Sequence, residues 1–85
     1  MNTDLSKLKQ LIDEKLKDDA IIVDDIGFLK EDKFLFLKIT LDRVGGLDLD
    51  TIVTASKKIN ILINNFDIKE SDYILDISSK ERNGN

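Results

Sequence analysis

One segment of the sequence alternates so regularly that it predicts a strand and assigns both of its faces. The first set of alternate residues is aliphatic and consists of Leu35, Leu37, Ile39 and Leu41. The intervening set is aromatic and polar and consists of Phe34, Phe36, Lys38 and Thr40. Side chains two positions apart share one face of a strand. We therefore predict a strand over Lys33 to Asp42, with helices covering the aliphatic face and the other face open.

The next segment predicts a tight turn and a capped helix. Gly45 and Gly46 can supply the positive φ angles of a turn, and Asp48 is a suitable N-cap. Ser56 falls inside the apolar stripe that follows, where a small side chain lets another element approach. The stripe recurs at helical spacing and consists of Leu49, Ile52, Val53, Ile59, Leu62, Ile63 and Phe66.

Three further elements flank this pair. Helical periodicity predicts a first helix over Asp4 to Lys17, with Thr3 or Asp4 as its cap. A β-rich run predicts a strand over Ala20 to Lys30, with a bulge or bend near Asp25–Gly27 because a glycine interrupts it. If that strand is regular, one face carries Ile22, Ile26 and Phe28, and the other carries Ile21, Val23 and Leu29. A last strand is predicted over Tyr73 to Ser79.

The predicted order is α-β-β-α-β, an α+β fold with two helices on one face of a three-stranded sheet. Residues 1–79 form the predicted domain, and the polar residues 80–85 are predicted to be a disordered C-terminal tail. The pattern leaves open whether the third strand pairs with the first or the second.

Composition restricts the classes of function. The 85 residues include no histidine and no cysteine, which removes the commonest nucleophile systems and zinc ligands. We therefore expect no enzyme, no cofactor, no metal site and no small-molecule substrate. No segment resembles a secretory signal or a membrane span, so we expect a cytoplasmic protein with no membrane partner. The net charge of −4 favours a neutral or basic partner.

Two acidic or glycine-rich motifs have simple structural interpretations. Asp24 and Asp25 are consecutive in a strand and should point to opposite faces, so we interpret them as solvated carboxylates and not as a metal or acid–base site. Gly45 and Gly46 precede a helix N-terminus, where an anion could bind. Asp48 and Asp50 already place carboxylates at that position, so we interpret the glycines as a plain turn.

The candidate binding residues lie on the open face of the second strand. Phe34 and Phe36 could contact a protein or another domain, be buried within this domain, or stack on nucleic-acid bases beside Lys38. Contact with a protein is the interpretation we favour. Lys57 and Lys58 on the second helix are weaker candidates for the same contact.

Three blocks of the sequence resemble the N-terminal domain of the ribosome maturation factor RimP family. Residues 37–42 (Leu-Lys-Ile-Thr-Leu-Asp) are similar to its Leu-Arg-x-x-Ile-Asp strand. Residues 46–51 with Ala55-Ser56-Lys57 match the spacing of its Gly-x-Thr-x-Asp-Asp … x-Ser-Arg helix. Residues 73–79 (Tyr-Ile-Leu-Asp-Ile-Ser-Ser) are similar to its Tyr-x-Leu-Glu-Val-Ser-Ser strand, the most specific of the three.

The resemblance implies a fold related to type II KH-like domains and a cytoplasmic, non-enzymatic factor in assembly of the small ribosomal subunit. It implies binding to the precursor of that subunit through a basic ribosomal protein. The alternative function is a KH-like RNA-binding module, with ribosomal RNA as the partner. The family pattern continues after Ser-Ser with Pro-Gly and a second, Sm-like domain. Here Ser79 is followed by Lys80-Glu81-Arg82, and the Sm-like domain is missing from these residues. Lys38 and Lys57 stand where the family has arginine.

Overall fold

The computed structural model describes residues 3–81, and they form the predicted α+β fold with the order α-β-β-α-β. The two helices are α1 (Leu5–Lys15) and α2 (Leu49–Asn64). The three strands are β1 (Ile22–Glu31), β2 (Phe34–Asp42) and β3 (Tyr73–Ser79). Residues 82–85 of the predicted tail lie outside the described residues.

The sheet has the strand order β1-β2-β3, which answers the pairing question that the sequence left open. β1 and β2 form an antiparallel hairpin, and β2 and β3 run parallel. Parallel neighbours need a long crossover, and α2 provides it. The backbone N–H of Lys80 also donates to the carbonyl of Leu41 at 2.7 Å, so pairing with β2 continues one residue beyond β3. β2 is therefore the central strand, and its alternate side chains lie in the middle of each face of the sheet.

The core lies between the sheet and the two helices. The predicted aliphatic face of β2 is confirmed, since Leu37, Ile39 and Leu41 are completely buried. Against it pack residues of or next to both helices, namely Leu8, Ile12, Leu16, Ala55, Ile59 and Ile63. The alternate aliphatic side chains of β2 thus pack directly against the apolar side chains of α1 and α2.

A bulge in β1 changes which of its residues face the core. Val23 pairs with Leu41 whereas Asp25 pairs with Thr40, so Asp24 is an extra residue in the ladder. The predicted grouping of Ile22 with Ile26 and Phe28 is therefore wrong. Ile22 is 55% exposed, while Ile26 and Phe28 pack against the core. The irregularity lies just before the predicted position, and Gly27 itself is in regular register opposite Lys38.

α2 begins as predicted, but fewer of its apolar residues face the core than the predicted stripe contains. The Asp48 carboxylate accepts a hydrogen bond from the Thr51 backbone N–H at 2.8 Å, which confirms the N-cap. Leu49 and Val53 are 74% and 45% exposed, so their predicted place in the stripe is wrong. The buried line runs through Ala55, Ile59 and Ile63, one residue per turn, and it leaves those two side chains on the flank of the helix. Gly45 and Gly46 form the predicted turn, with φ of 87° and 90°.

The N-terminal segment is held by side-chain hydrogen bonds. Asp4 is the N-cap of α1, because its carboxylate accepts from the Lys7 backbone N–H at 3.0 Å. The Thr3 hydroxyl donates to the Glu70 carboxylate and accepts from the Lys69 backbone N–H at 2.7 Å. These bonds join the start of α1 to the connection between α2 and β3. After α1 a 3₁₀ turn over Lys17–Asp19 intervenes, so β1 starts two residues later than predicted.

Candidate docking face of the sheet

The face of the sheet turned away from the helices carries an apolar patch at its hairpin end. Cα partners in neighbouring strands share a face, and the register places Leu29 and Ile74 on either side of Phe36. Phe34 lies one step further toward the hairpin, paired with Glu31. We call this surface the open face, and we call the set of Leu29, Phe34, Phe36 and Ile74 the apolar patch. It crosses all three strands.

The side chains of the apolar patch are accessible. Phe34 is 52% exposed, Leu29 and Ile74 are each 42% exposed, and Phe36 is half-buried between its neighbours. Isolated exposed apolar residues are ordinary, but a contiguous group of this kind is typical of a contact surface. The exposure of Phe34 argues against the interpretation that this aromatic pair is simply buried within the domain.

The middle of the open face is polar and shallow. Gly27 and Asp76 flank Lys38 in the register, and the Lys38 Nζ lies 3.8 Å from the Asp76 Oδ2. A Cβ at Gly27 would meet no atom within 4 Å. A depression of about 380 Å³ lies at this position, beside Lys38 and Thr40. A protruding partner side chain could enter this depression next to the apolar patch.

Negative charge on the open face exceeds positive charge. Alternation and register place the carboxylates of Asp25, Glu31 and Asp76 on this face, against one strand cation, Lys38. Lys38 is paired with Asp76, and at the far end Lys80 pairs with Asp24 at 3.3 Å. Asp25 and Glu31 make no ion pair with any residue between 3 and 81. The apolar patch therefore sits on a face with uncompensated carboxylates.

The predicted site residues separate into two groups. Phe34, Phe36 and Lys38 lie together on the open face. Lys57 and Lys58 are on α2, in the other layer of the fold. The Nζ of Lys58 lies 2.6 Å from the Asp19 Oδ2, in an ion pair that joins α2 to the 3₁₀ turn. One flat contact cannot include both groups.

Sequence reasoning did not identify two members of the apolar patch. Leu29 was predicted to share a face with Ile21 and Val23, but those two are buried and Leu29 is exposed, because the bulge at Asp24 reverses the alternation. The position of Leu29 and Ile74 beside Phe36 follows only from the register of the two pairings. A hairpin prediction counted back from the turn at Asp32 could have placed Leu29, but the parallel pairing that brings in Ile74 has no local signal.

The helix N-terminus beside the glycine turn is occupied by protein groups. Hydrogen bonds from Thr51, from its side chain and then from its backbone, hold the pKa of Asp48 below its ordinary value, and the nearby positive charge of Arg43 acts in the same direction. A carboxylate thus already complements the helix dipole there. Among residues 3–81, no cluster of three or more histidine, cysteine, aspartate or glutamate side chains could hold a metal ion.

The described part of the chain contains no helix long and apolar enough to cross a membrane. The sequence also contains no Gly-x-x-Gly loop, the element with which KH domains clamp the nucleic-acid backbone. The open face carries apolar and acidic groups, and its strand cation Lys38 is paired with Asp76.

A model of a known protein family matches most of the chain. The model described as the RimP N-terminal domain matches residues 11–80. The matched region includes β1, β2, α2 and β3 and the second half of α1. Every residue of the apolar patch lies within it. The chain therefore belongs to the RimP family of ribosome maturation factors and carries the N-terminal domain of that family.

Proposed function

We propose that this domain acts in the cytoplasm in assembly of the small ribosomal subunit, by docking its open face on a basic ribosomal protein of the subunit precursor. The observation that carries the proposal is the apolar patch on a face with uncompensated carboxylates. Membership of the RimP family supports a role in ribosome maturation. The members of this family are assembly factors and are not known to be enzymes. The proposed role is binding, without a reaction step.

The apolar patch would supply most of the affinity. Aromatic side chains bury large areas and are enriched among residues that dominate binding energy. Phe34 is already half exposed at 52%, so contact with a partner removes apolar surface from water without rearranging the domain. The neighbouring Phe36 is held between Leu29 and Ile74, so little side-chain freedom is lost on binding.

The carboxylates would supply selectivity and rate of association. Asp25 and Glu31 have no cation opposite them within residues 3–81, so arginine or lysine side chains of a basic protein can take that position. Complementary charge steers association and disfavours acidic partners. Lys38 and Asp76 are exposed and 3.8 Å apart, so either one can exchange its partner at little cost.

Ribosomal RNA is the second candidate partner, through aromatic stacking on Phe34 and Phe36. RNA binding needs cations that neutralise phosphates. On the open face the strand cation Lys38 is already paired with Asp76, and no Gly-x-x-Gly loop accompanies it. These observations favour the protein partner.

The test compares Phe36→Ser with Ile61→Ser. Ile61 is also an exposed apolar side chain, at 62%, but it lies on α2 outside the open face. Purified small-subunit precursors and their isolated basic proteins are captured on the immobilised wild-type chain and on both variants. We expect Phe36→Ser to lose capture of a basic protein and Ile61→Ser to retain it.

Equal capture by both variants would contradict the proposal, as would capture no better than that of an unrelated acidic domain. Titration of ribosomal RNA fragments at two salt concentrations separates the candidate partners, because RNA binding weakens steeply with salt. Lys38→Ala and Lys57→Ala form a second pair. We expect only Lys38→Ala to change the affinity, since Lys57 lies on the helix layer.

A further inference from the structure

The two edges of the sheet are protected to different degrees. β1 is interrupted by the bulge at Asp24 and carries charged residues at both ends of its ladder. β3 pairs with β2 over seven consecutive residues without a shift, and Asp76 is its one charged residue. An unpaired edge strand is a template for another strand, and proteins usually block it with charges, proline or bulges. The β3 edge has one charge and neither of the other two devices.

The unpaired backbone groups of β3 can be identified. The Lys80 N–H donates to the Leu41 carbonyl, and alternate residues of a strand point their N–H groups to the same side. The amides of Asp76 and Ser78 therefore point to β2, and those of Leu75, Ile77 and Ser79 point outward. Those three outward N–H groups donate to no other residue between 3 and 81.

A groove runs beside these amides, between β3 and α2. It has a volume of about 440 Å³ and is lined by Ser56, Asn60, Leu75, Asp76 and Ile77. Leu75 and Ile77 pack against the core but are only half-buried, so part of their apolar surface is accessible on this side. Leu49 and Val53, three to seven residues before Ser56, extend the same flank of α2 and are exposed.

The net negative charge of the segment that contains β3 indicates which kind of partner would bind its edge. Residues 67–79 contain four carboxylates and one lysine, namely Asp67, Glu70, Asp72, Asp76 and Lys69. A second copy of the chain would bring the same excess of negative charge, on top of a net charge of −4, and like charges disfavour that pairing. A basic chain segment would be attracted.

We infer that the β3 edge binds an extended segment of a basic protein, which adds to the sheet as a fourth strand. Its backbone pairs with the outward amides of Leu75 and Ile77, and its alternate apolar side chains fill the groove beside Ser56. This is β-strand addition, in which backbone hydrogen bonds give affinity and pockets for alternate side chains give selectivity. The basic character of the partner rests on the proposed function, but the surface is separate from the open face.

The test uses a synthetic peptide with the sequence Lys-Val-Lys-Val-Lys-Val-Lys, titrated into the isotopically labelled chain. We expect slowed hydrogen exchange at the amides of Leu75 and Ile77 and contacts from the valine methyl groups to Ser56. A peptide with glutamate in place of lysine should lose binding. So should a peptide with proline in place of the central valine, because proline cannot extend a strand.

Ser56→Phe and Ser6→Phe provide matched variants. Ser56→Phe fills the groove over β3, whereas Ser6 lies on α1 beside the β1 edge. We expect Ser56→Phe to lose peptide binding and Ser6→Phe to retain it. Asn60→Phe blocks the same groove from an exposed position, so it gives the test if Ser56→Phe does not fold.

Unchanged peptide binding in a folded groove variant would overturn the inference. So would peptide-induced shifts confined to the open face, or formation of a dimer through β3 without peptide. Phe36→Ser separates this inference from the proposed function. If the inference holds, Phe36→Ser keeps peptide binding whether or not it loses the ribosomal partner, and loss of peptide binding there would count against the β3 edge.

Discussion

Leu37 and Phe36 are adjacent large apolar residues in the same strand, yet they belong to opposite faces of the sheet. Leu37 is completely buried beneath the helices, whereas Phe36 lies in the apolar patch of the open face. Hydrophobicity alone does not distinguish the two residues. A single alternating strand thus builds the core with one set of residues and leaves the next set as an exposed apolar surface.

The largest expected effect comes from the buried face. Leu37→Ala should lower the free energy of unfolding by about 2–5 kcal/mol, because it removes buried methyl groups and leaves a cavity. A domain of this size has little stability to spare, so much of the variant should be unfolded at equilibrium. Urea unfolding followed by circular dichroism measures the change. A loss below about 1 kcal/mol would mean that the two faces of β2 differ less than their burial indicates.

The adjacent substitution on the open face should have a much smaller effect on folding. We expect Phe36→Ser to cost at most about 1 kcal/mol, because the side chain is only half-buried and no closed cavity forms. The same urea experiment compares it directly with Leu37→Ala. A cost as large as that of Leu37→Ala would show that Phe36 serves the fold, and the contrast between the faces would then fail.

Acidification should weaken the helix layer through two carboxylates outside the open face. Hydrogen bonds from Thr51 lower the pKa of Asp48 below its ordinary 3.8, and the Thr3 hydroxyl lowers the pKa of Glu70 below its ordinary 4.5. Each carboxylate then binds a proton more readily in the unfolded chain. Its contribution to stability is fully present above the ordinary pKa and is lost as the pH falls through the lowered one.

Unfolding free energies measured from pH 6 to pH 2 should therefore fall below about pH 4.5, where these carboxylates begin to take up protons. Asp48→Asn and Glu70→Gln should each flatten part of that fall. A fall that neither substitution flattens would mean that other groups cause the acid sensitivity.

The smallest expected effect concerns the ion pair of the open face. Asp76→Asn should change the unfolding free energy by no more than about 0.5 kcal/mol, since exposed ion pairs contribute little. The Lys38 and Asp76 side chains are 45% and 42% exposed, and solvent already screens them. Thermal unfolding at low and high salt measures the difference. A larger, salt-sensitive loss would assign this pair a structural role.

Local sequence patterns predicted the elements of the fold better than their arrangement. Alternation in β2 and the Asp48 cap of α2 were confirmed, because both depend on residues near each other in the chain. The order of the strands depends on the crossover through α2, and no local pattern encodes it. In α2 the apolar residues cover more than one side, so periodicity alone could not show that Leu49 and Val53 stay exposed.

The candidate site shows the same limit. Phe34, Phe36 and Lys38 were predicted to share a face, and they do. The apolar patch is continuous because strand pairing places Leu29 and Ile74 beside Phe36, and the sequence did not predict that register. Whether these residues bind the partner is still a prediction, and the matched variants at Phe36 and Ile61 decide it.

The extra residue at Asp24 has a consequence for large-scale mutational data on this chain. Before it, the substitution-sensitive positions should be odd-numbered, Ile21 and Val23; after it they should be even-numbered, Ile26 and Phe28. In a saturation mutagenesis scan, the positions sensitive to substitution should therefore change once along β1 from odd-numbered to even-numbered residues. Deleting Asp24 would remove the reversal and force one half of the strand to turn its aliphatic side chains into solvent. A single-residue deletion there should thus be more harmful than most substitutions in the same strand.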